Sequence, residues 1–253
     1  DFCLSRGLGD VYKRQLHGLV DGRPSFELAP IRGGYWGIVG MDPWAPVGRH
    51  TIAITAEGAS GTSTLVQGTV DVINQDFPWV ADSPFPPGKG DITQRDVQVA
   101  ENRHLAPIFT AFTPRQLWEG TFIWPAPGPI TNAFGTGYSA DGGKTFHAYH
   151  EGIDIGANTG TPIVAANTGR VVVAHPLHVR GNGVIIDHGM GIFSGYYHMS
   201  RIVAQEGTTV RKGDLIGYVG QTGLATGPHV HWEIRARNQY VDPAEWLTRD
   251  VEP

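Results

Sequence analysis

The chain has 253 residues and a net charge of −5, with only 17% charged side chains, so it lacks the broad basic face that nucleic-acid binding needs. No apolar run approaches the ~20 residues of a membrane-spanning helix, and a single cysteine, Cys3, excludes a disulfide framework. The 35 glycines and 18 prolines favour turns and short strands over long helices.

In chain order, residues 1–15 (DFCLSRGLGDVYKRQ) lack the apolar stretch of an export signal and share no pattern with residues 16–80. They read as a non-native leader outside the fold, which takes Cys3 with it and leaves any native export signal missing from this chain. Residues 16–80 alternate apolar and polar positions in short runs such as Tyr35–Val39, His50–Ile54 and Thr69–Ile73, broken by Gly and Pro. That pattern predicts a small, immunoglobulin-like β-sandwich. Residues 81–118 form a connector that opens on Ser83-Pro84-Phe85-Pro86-Pro87-Gly88, with a short helix within Arg95–Phe112 limited by Pro107.

From residue 119 to 249 strands dominate again, over Pro162–Ala166, Arg170–Ala174, Val184–Asp187, Gly195–His198, Leu215–Val219 and Val230–Ala236. Asn167-Thr168-Gly169 is expected to join the first two as a tight turn. Asp242-Pro243-Ala244-Glu245-Trp246 reads as an N-capped, proline-initiated helical turn. The fold class is therefore mainly β, in two mostly antiparallel units.

Two segments carry the chemistry, His150-Glu151-Gly152-Ile153-Asp154 and His229-Val230-His231. Imidazole and carboxylate are ligands that catalytic zinc takes, usually three from the protein with one position open. A fully extended chain would hold residues four apart about 13 Å from each other, so His150 and Asp154 need the bend that Gly152 permits. In His-x-His on a strand, alternate residues share a face, so one imidazole can bind metal while the other points at the open position.

These segments sit in longer ones: His150 to Ala166 (HEGIDIGANTGTPIVAA), Gly183 to Gly189 (GVIIDHG), Tyr196 to Ser200 (YYHMS) and Thr226 to Glu233 (TGPHVHWE). In order and spacing they resemble the M23 peptidases, the lysostaphin/LytM-type zinc endopeptidases that cut peptidoglycan. The resemblance runs from about Phe122 to Leu247. It implies an antiparallel β-sheet peptidase domain with one Zn²⁺ bound by His150, Asp154 and His231, and with His198 and His229 as catalytic histidines that do not bind the metal. One departure is visible: where the family often has an Arg shortly after Phe-Gly, Phe134-Gly135 is followed by Thr136-Gly137-Tyr138.

The other histidines and Glu151 have plainer readings. His188 reads as a structural or hydrogen-bonding residue, and His147 as a loop or cleft-rim residue, since His-Glu-x-x-His and its inverse are both missing. Glu151 points into solvent on this reading, and Asn182 belongs equally to a groove or to a turn. His50, His104, His175 and His178 belong to no constellation.

The implied reaction is hydrolysis of a peptide bond in a peptidoglycan cross-bridge or stem peptide by a zinc-activated water. Proton work falls to imidazole, whose ordinary pKa of about 6.5 suits it, with His198 and His229 interchangeable as base at this stage. The implied partner is peptidoglycan and the implied location is the cell envelope or outside the cell. Two competing readings are a non-catalytic wall-binding activator of another hydrolase, and an amidase or carboxypeptidase. A latent arrangement, with the N-terminal part or the connector over the cleft, is a further reading.

Overall fold

The computed structural model describes residues 16–58, 61–80, 89–139 and 148–251, with the backbone alone at 56–58 and 61–65. The leader proposed for 1–15, the proline-rich opening of the connector and His147 therefore lie outside the described residues.

The principal sheet has eight strands. Its order is Thr209–Val210, Gly169–Leu177, Gly181–Gly189, Ile192–Met199, His229–Ala236, Ile153–Gly156 and Ile130–Asn132, with Gln239–Val241 also paired to His229–Ala236. Every pairing in it is antiparallel. A smaller sheet runs Pro162–Val164, Leu215–Tyr218, Arg201–Ile202.

The central strands are covered on both faces, which is why they read as near-continuous apolar runs rather than clean alternations. On one face Val184, Ile186, Tyr196, Val230, Trp232 and Ile234 join the main core. On the other, Val173, Ile185, Phe193 and Tyr197 pack against Leu105 and Phe109 of the helix Arg95–Phe109. Glu101, Leu105 and Phe109 are that helix's buried residues, spaced four apart and so on one stripe. Burying Phe109 fully stabilises this contact by roughly 1.5–3 kcal/mol. The helix ends two residues after Pro107, within the range expected of it, and Thr110 N closes it on Ala106 O.

The Asn167 segment departs from the hairpin expectation. Pro162–Val164 pairs with Leu215–Tyr218, while Gly169–Leu177 pairs with Gly181–Gly189, so Asn167 to Gly169 cross between two sheets. Fully buried Asn167 makes the crossing possible by donating to the carbonyls of Glu119 and Thr121 and accepting from Thr168 N. The Asp242 turn is as read: its carboxylate accepts from Ala244 N at 2.9 Å and Pro243 opens a 3-10 helix.

The N-terminal part holds one four-stranded antiparallel sheet in the order Arg23–Glu27, Leu16–Val20, Gly48–Gly58, Gly61–Val72, and a hairpin Ala29–Ile31/Gly34–Trp36. The described residues do not confirm the immunoglobulin-like sandwich. The sheet packs a small cluster of Leu16, Phe26, Leu28, Ile52 and Ile54, whereas Ala29 and Trp36 of the hairpin insert into the main core. There Trp36 meets Trp118 at a 6.3 Å ring separation. A later strand, Trp79–Val80, pairs in parallel with Gly137–Tyr138, which pairs with Ala148–Tyr149 just before His150.

Candidate metal centre

Asp154 and His231 are direct cross-strand partners, so period-two geometry sends both side chains to one face of the sheet. Ile153 and Ile155 go to the other face, into the core. His150 enters from the preceding segment, tied by its own N–H to Thr136 O and by its carbonyl to Gly135 N. Gly152 makes the approach possible: a Cβ there would lie 2.5 Å from Trp232 O and 2.7 Å from His231 Nε2.

Three ligand-type atoms converge. His150 Nε2 is 3.1 Å from Asp154 Oδ1 and 3.1 Å from His231 Nδ1, and His231 Nδ1 is 2.9 Å from Asp154 Oδ1. Among the described residues this is the one group of His, Cys, Asp and Glu side chains that could hold a metal ion. A tetrahedral zinc with bonds of about 2.0–2.1 Å separates its ligands by roughly 3.3 Å, and the triangle needs little expansion to reach that. His150 Nδ1 lies 3.1 Å from Ala133 O, a donor bond that leaves Nε2 free for metal.

Electrostatics favour a cation. Burial would raise the Asp154 carboxyl, but hydrogen bonds from His150 and His231 hold it well below the ordinary range. Burial also works against a charged His231 ring, yet the carboxylates of Asp154 and Glu233 outweigh it and keep its pKa at about 9. A metal at Nδ1 would stand in for the proton that Asp154 attracts on that side of the ring.

His198 and His229 stand beside the triangle, their rings 4.8 Å apart. His229 Nε2 lies 3.6 Å from Asp154 Oδ1. The Nδ1 of His198 is 2.8 Å from Thr222 O and that of His229 is 2.8 Å from Gly227 O, so each ring donates backwards and presents Nε2 as an acceptor. Burial and the neighbouring His229 push His198 down to about 3, and burial lowers His229. His198 has φ +63, a left-handed conformation that a residue with a Cβ adopts only where its surroundings impose it.

The remaining positions take plainer roles. His188 is buried in the core between Thr168 O and Ser194 Oγ. Glu151 leans toward Arg180 at 3.8 Å and is partly exposed. Asn182 Nδ2 donates to Met199 O and its N–H to Thr222 Oγ1, which makes it a strut beneath the His198 loop rather than a groove wall. His50 pairs with Asp21, His175 with Glu206 and His178 with Asp91. Glu233, Tyr197 and Thr222, which hold the site from behind, are not singled out by the motifs. For Glu233 a signal exists, since the alternation His229, His231 continues through Glu233 to Arg235.

An antiparallel sheet with a convergent His-Asp-His cluster and two flanking imidazoles defines a candidate centre of the metallohydrolase kind. The sequence model of peptidase family M23, a family of zinc metallopeptidases, matches residues 148–243. The chain is 43% identical over 94 residues to the DD-carboxypeptidase/endopeptidase Mpg of Neisseria meningitidis, a match covering 37% of this chain and 22% of that protein. It is 38% identical over 95 residues to the peptidoglycan DD-endopeptidase ShyA of Vibrio cholerae, covering 38% of this chain and again 22% of the relative. The matched stretch thus spans about a fifth of these curated relatives. The Escherichia coli lipoprotein YgeR, itself uncharacterised, is 30% identical over 161 residues, 62% of this chain and 60% of that one. A solved structure of a candidate M23 peptidase from Pseudomonas aeruginosa superposes with a TM-score of 0.65 over 92% of this chain and 87% of that one. At 24% identity that likeness speaks to the fold. Among the described residues, no helix is long and apolar enough to cross a membrane.

Proposed function

We propose that this chain is a zinc-dependent endopeptidase acting on peptide bonds of peptidoglycan, with residues 119–249 as its catalytic unit. The observation that carries the reading is the triangle of His150 Nε2, Asp154 Oδ1 and His231 Nδ1, with sides of 2.9–3.1 Å. These three atoms would hold the ion, which when bound supplies Lewis acidity toward water and the scissile carbonyl.

The chain's own residues do the rest. His229 Nε2, the nearer imidazole nitrogen to Asp154, takes the proton of the attacking water and returns it to the leaving amine nitrogen. The Asp154 carboxylate steadies the imidazolium in between. His198 Nε2 accepts a hydrogen bond from the water or the substrate amide and keeps the attacking group oriented. Both rings are held by backbone carbonyls, so neither must reorganise as the reaction proceeds. The products are a carboxylate and an amine.

Peptidoglycan as substrate is supported by the names of the relatives, one a peptidoglycan DD-endopeptidase and one a DD-carboxypeptidase/endopeptidase. On this reading the protein works in the envelope or outside the cell. The test is zinc content beside clearance of purified peptidoglycan, with mass analysis of released fragments. Wild type should hold one zinc per chain and release internally cleaved peptides. His231→Ala should lose zinc, and His229→Ala should keep zinc and lose activity. Free D-alanine as the main product would move the reading to a carboxypeptidase. Zinc-free, inactive protein would favour a wall-binding activator.

A further inference from the structure

The strand His229–Ala236 puts His229, His231, Glu233 and Arg235 on one face, and Val230, Trp232, Ile234 and Ala236 on the core face. Glu233 is completely buried and Arg235 nearly so. Taking a carboxylate out of water is unfavourable unless the interior compensates, so its partners indicate what it is kept for.

Its two oxygens are treated differently. Oε1 accepts from Arg235 Nε at 2.9 Å and from the Tyr197 hydroxyl at 2.9 Å. Oε2 is buried with no hydrogen-bond partner among the described residues. It lies 3.8 Å from His231 Nε2, about 1 Å beyond an ordinary hydrogen bond. That nitrogen is the far side of the ring from Nδ1, which faces Asp154 and His150.

The surrounding groups lock this arrangement. The Tyr197 ring stacks on the His231 ring at 5.9 Å and 27°, while its hydroxyl fixes Glu233. Gly195 leaves the room: a Cβ there would lie 2.4 Å from the Tyr197 hydroxyl and 2.9 Å from Glu233 Cγ. Arg235 is itself held by Tyr240 and Asn238 and covers the Phe109 ring at 3.8 Å. Tyr240 also accepts from Arg180, which bonds Glu101 and Asn102 of the helix Arg95–Phe109.

We infer that Glu233 is a positioning residue for the metal centre: its unpartnered Oε2 accepts the Nε2 proton of His231, fixing the tautomer that leaves Nδ1 as the ligand atom. The inference rests on the reading of His231 as a zinc ligand. A carboxylate behind a ligating imidazole orients the ring and raises its basicity, and removing such a partner weakens metal binding 10- to 100-fold.

Glu233→Gln is the informative change. The amide oxygen can still accept from Arg235 and Tyr197, but the amide N–H group then faces Nε2 and favours the tautomer protonated at Nδ1. Zinc affinity is measured by competition with a chromophoric chelator, alongside melting of the zinc-free proteins. The expected result is a 10- to 100-fold weaker affinity with zinc-free melting close to wild type, and a smaller loss in Tyr197→Phe, which keeps the ring and removes one hold on Glu233. Tyr197→Phe serves alone if Glu233→Gln does not fold. Wild-type affinity in the variant that folds overturns the inference, as does an affinity loss accounted for by unfolding. His231→Ala separates the two readings. If it binds zinc as wild type does, the ligand assignment falls and the inference with it. If it loses zinc while Glu233→Gln and Tyr197→Phe do not, only the inference falls.

Discussion

Gly152 and His231 are packed so closely that a Cβ on Gly152 would sit 2.7 Å from His231 Nε2 and 3.0 Å from its Cε1. The same Cβ would lie 2.5 Å from the Trp232 carbonyl oxygen, a backbone atom that no rotamer change can move. Gly152→Ala must therefore shift either the segment carrying His150 or the strand carrying His231. Since a misplacement of about 1 Å can cost 10²-fold in rate, we expect at least a tenfold loss in zinc affinity and a larger loss in peptidoglycan cleavage. Chelator competition and turbidity clearance read the two effects, and wild-type values for both would refute the close-approach argument.

His198 illustrates strain retained at the site. A non-glycine residue in a sparsely populated backbone region costs of order 1 kcal/mol or more, and His198 has φ +63. Asn tolerates this region better than Ala does. His198→Asn should melt above His198→Ala, while both lose activity by about 10²-fold or more and both retain zinc. Loss of zinc from either variant would contradict the non-ligand role.

Stability should respond to His188. Burial pushes its imidazole from the ordinary 6.5 down to about 4, so the folded protein resists a proton that the unfolded chain accepts. Its contribution is complete above pH 6.5 and is lost as pH falls toward 4, by on the order of 3 kcal/mol in total. Urea melts at pH 7.5 and 5 should show a smaller acid loss in His188→Gln than in wild type. Equal slopes would mean that His188 does not titrate as described.

The helix Arg95–Phe109 covers one face of the central strands and supplies Glu101, which accepts from Val179 N, Arg180 N and Arg180 Nη1. Removing one partner of a buried ion pair costs about 3–5 kcal/mol, and Glu101→Ala should approach that loss in a denaturant melt. Deleting everything before Trp118 would expose Val173, Ile185, Phe193 and Tyr197. We expect unstable or insoluble protein rather than an activated enzyme. A soluble truncation with enhanced clearance would restore the latent-enzyme reading.

Chelation gives the simplest check on the centre. Dialysis against a strong chelator should abolish peptidoglycan cleavage, and one equivalent of zinc should restore it. Calcium should not, because two imidazoles with one carboxylate suit zinc better than a hard, oxygen-seeking ion.

Much of the C-terminal half is legible in the sequence because its information is local. Alternation over Val230–Ala236 reads as a strand and is one, at His229–Ala236. The Asp242-Pro243 cap reads as a helix start and is one. Asn167 to Gly169 differ from the expected hairpin because turn residues report a change of direction, and which strand pairs with which is decided by distant segments. The N-terminal sandwich is not confirmed, and the reason is similar: period-two alternation marks a half-buried strand without saying what buries it, and Trp36 of the hairpin is buried in the main core.

By itself the sequence carried the resemblance to M23 peptidases, the spacing of the five candidate residues and the flexibility that Gly152 grants between His150 and Asp154. Only the tertiary structure decided that Asp154 stands directly opposite His231, 77 positions away. It also decided that His150 turns Nε2 and His231 turns Nδ1 toward Asp154 Oδ1, and that Glu233 lies behind the second ring. The physical reason is that periodicity and turn chemistry act between near neighbours, whereas the orientation and charge of a side chain are set by the low-dielectric surroundings that non-local strand pairing assembles around it.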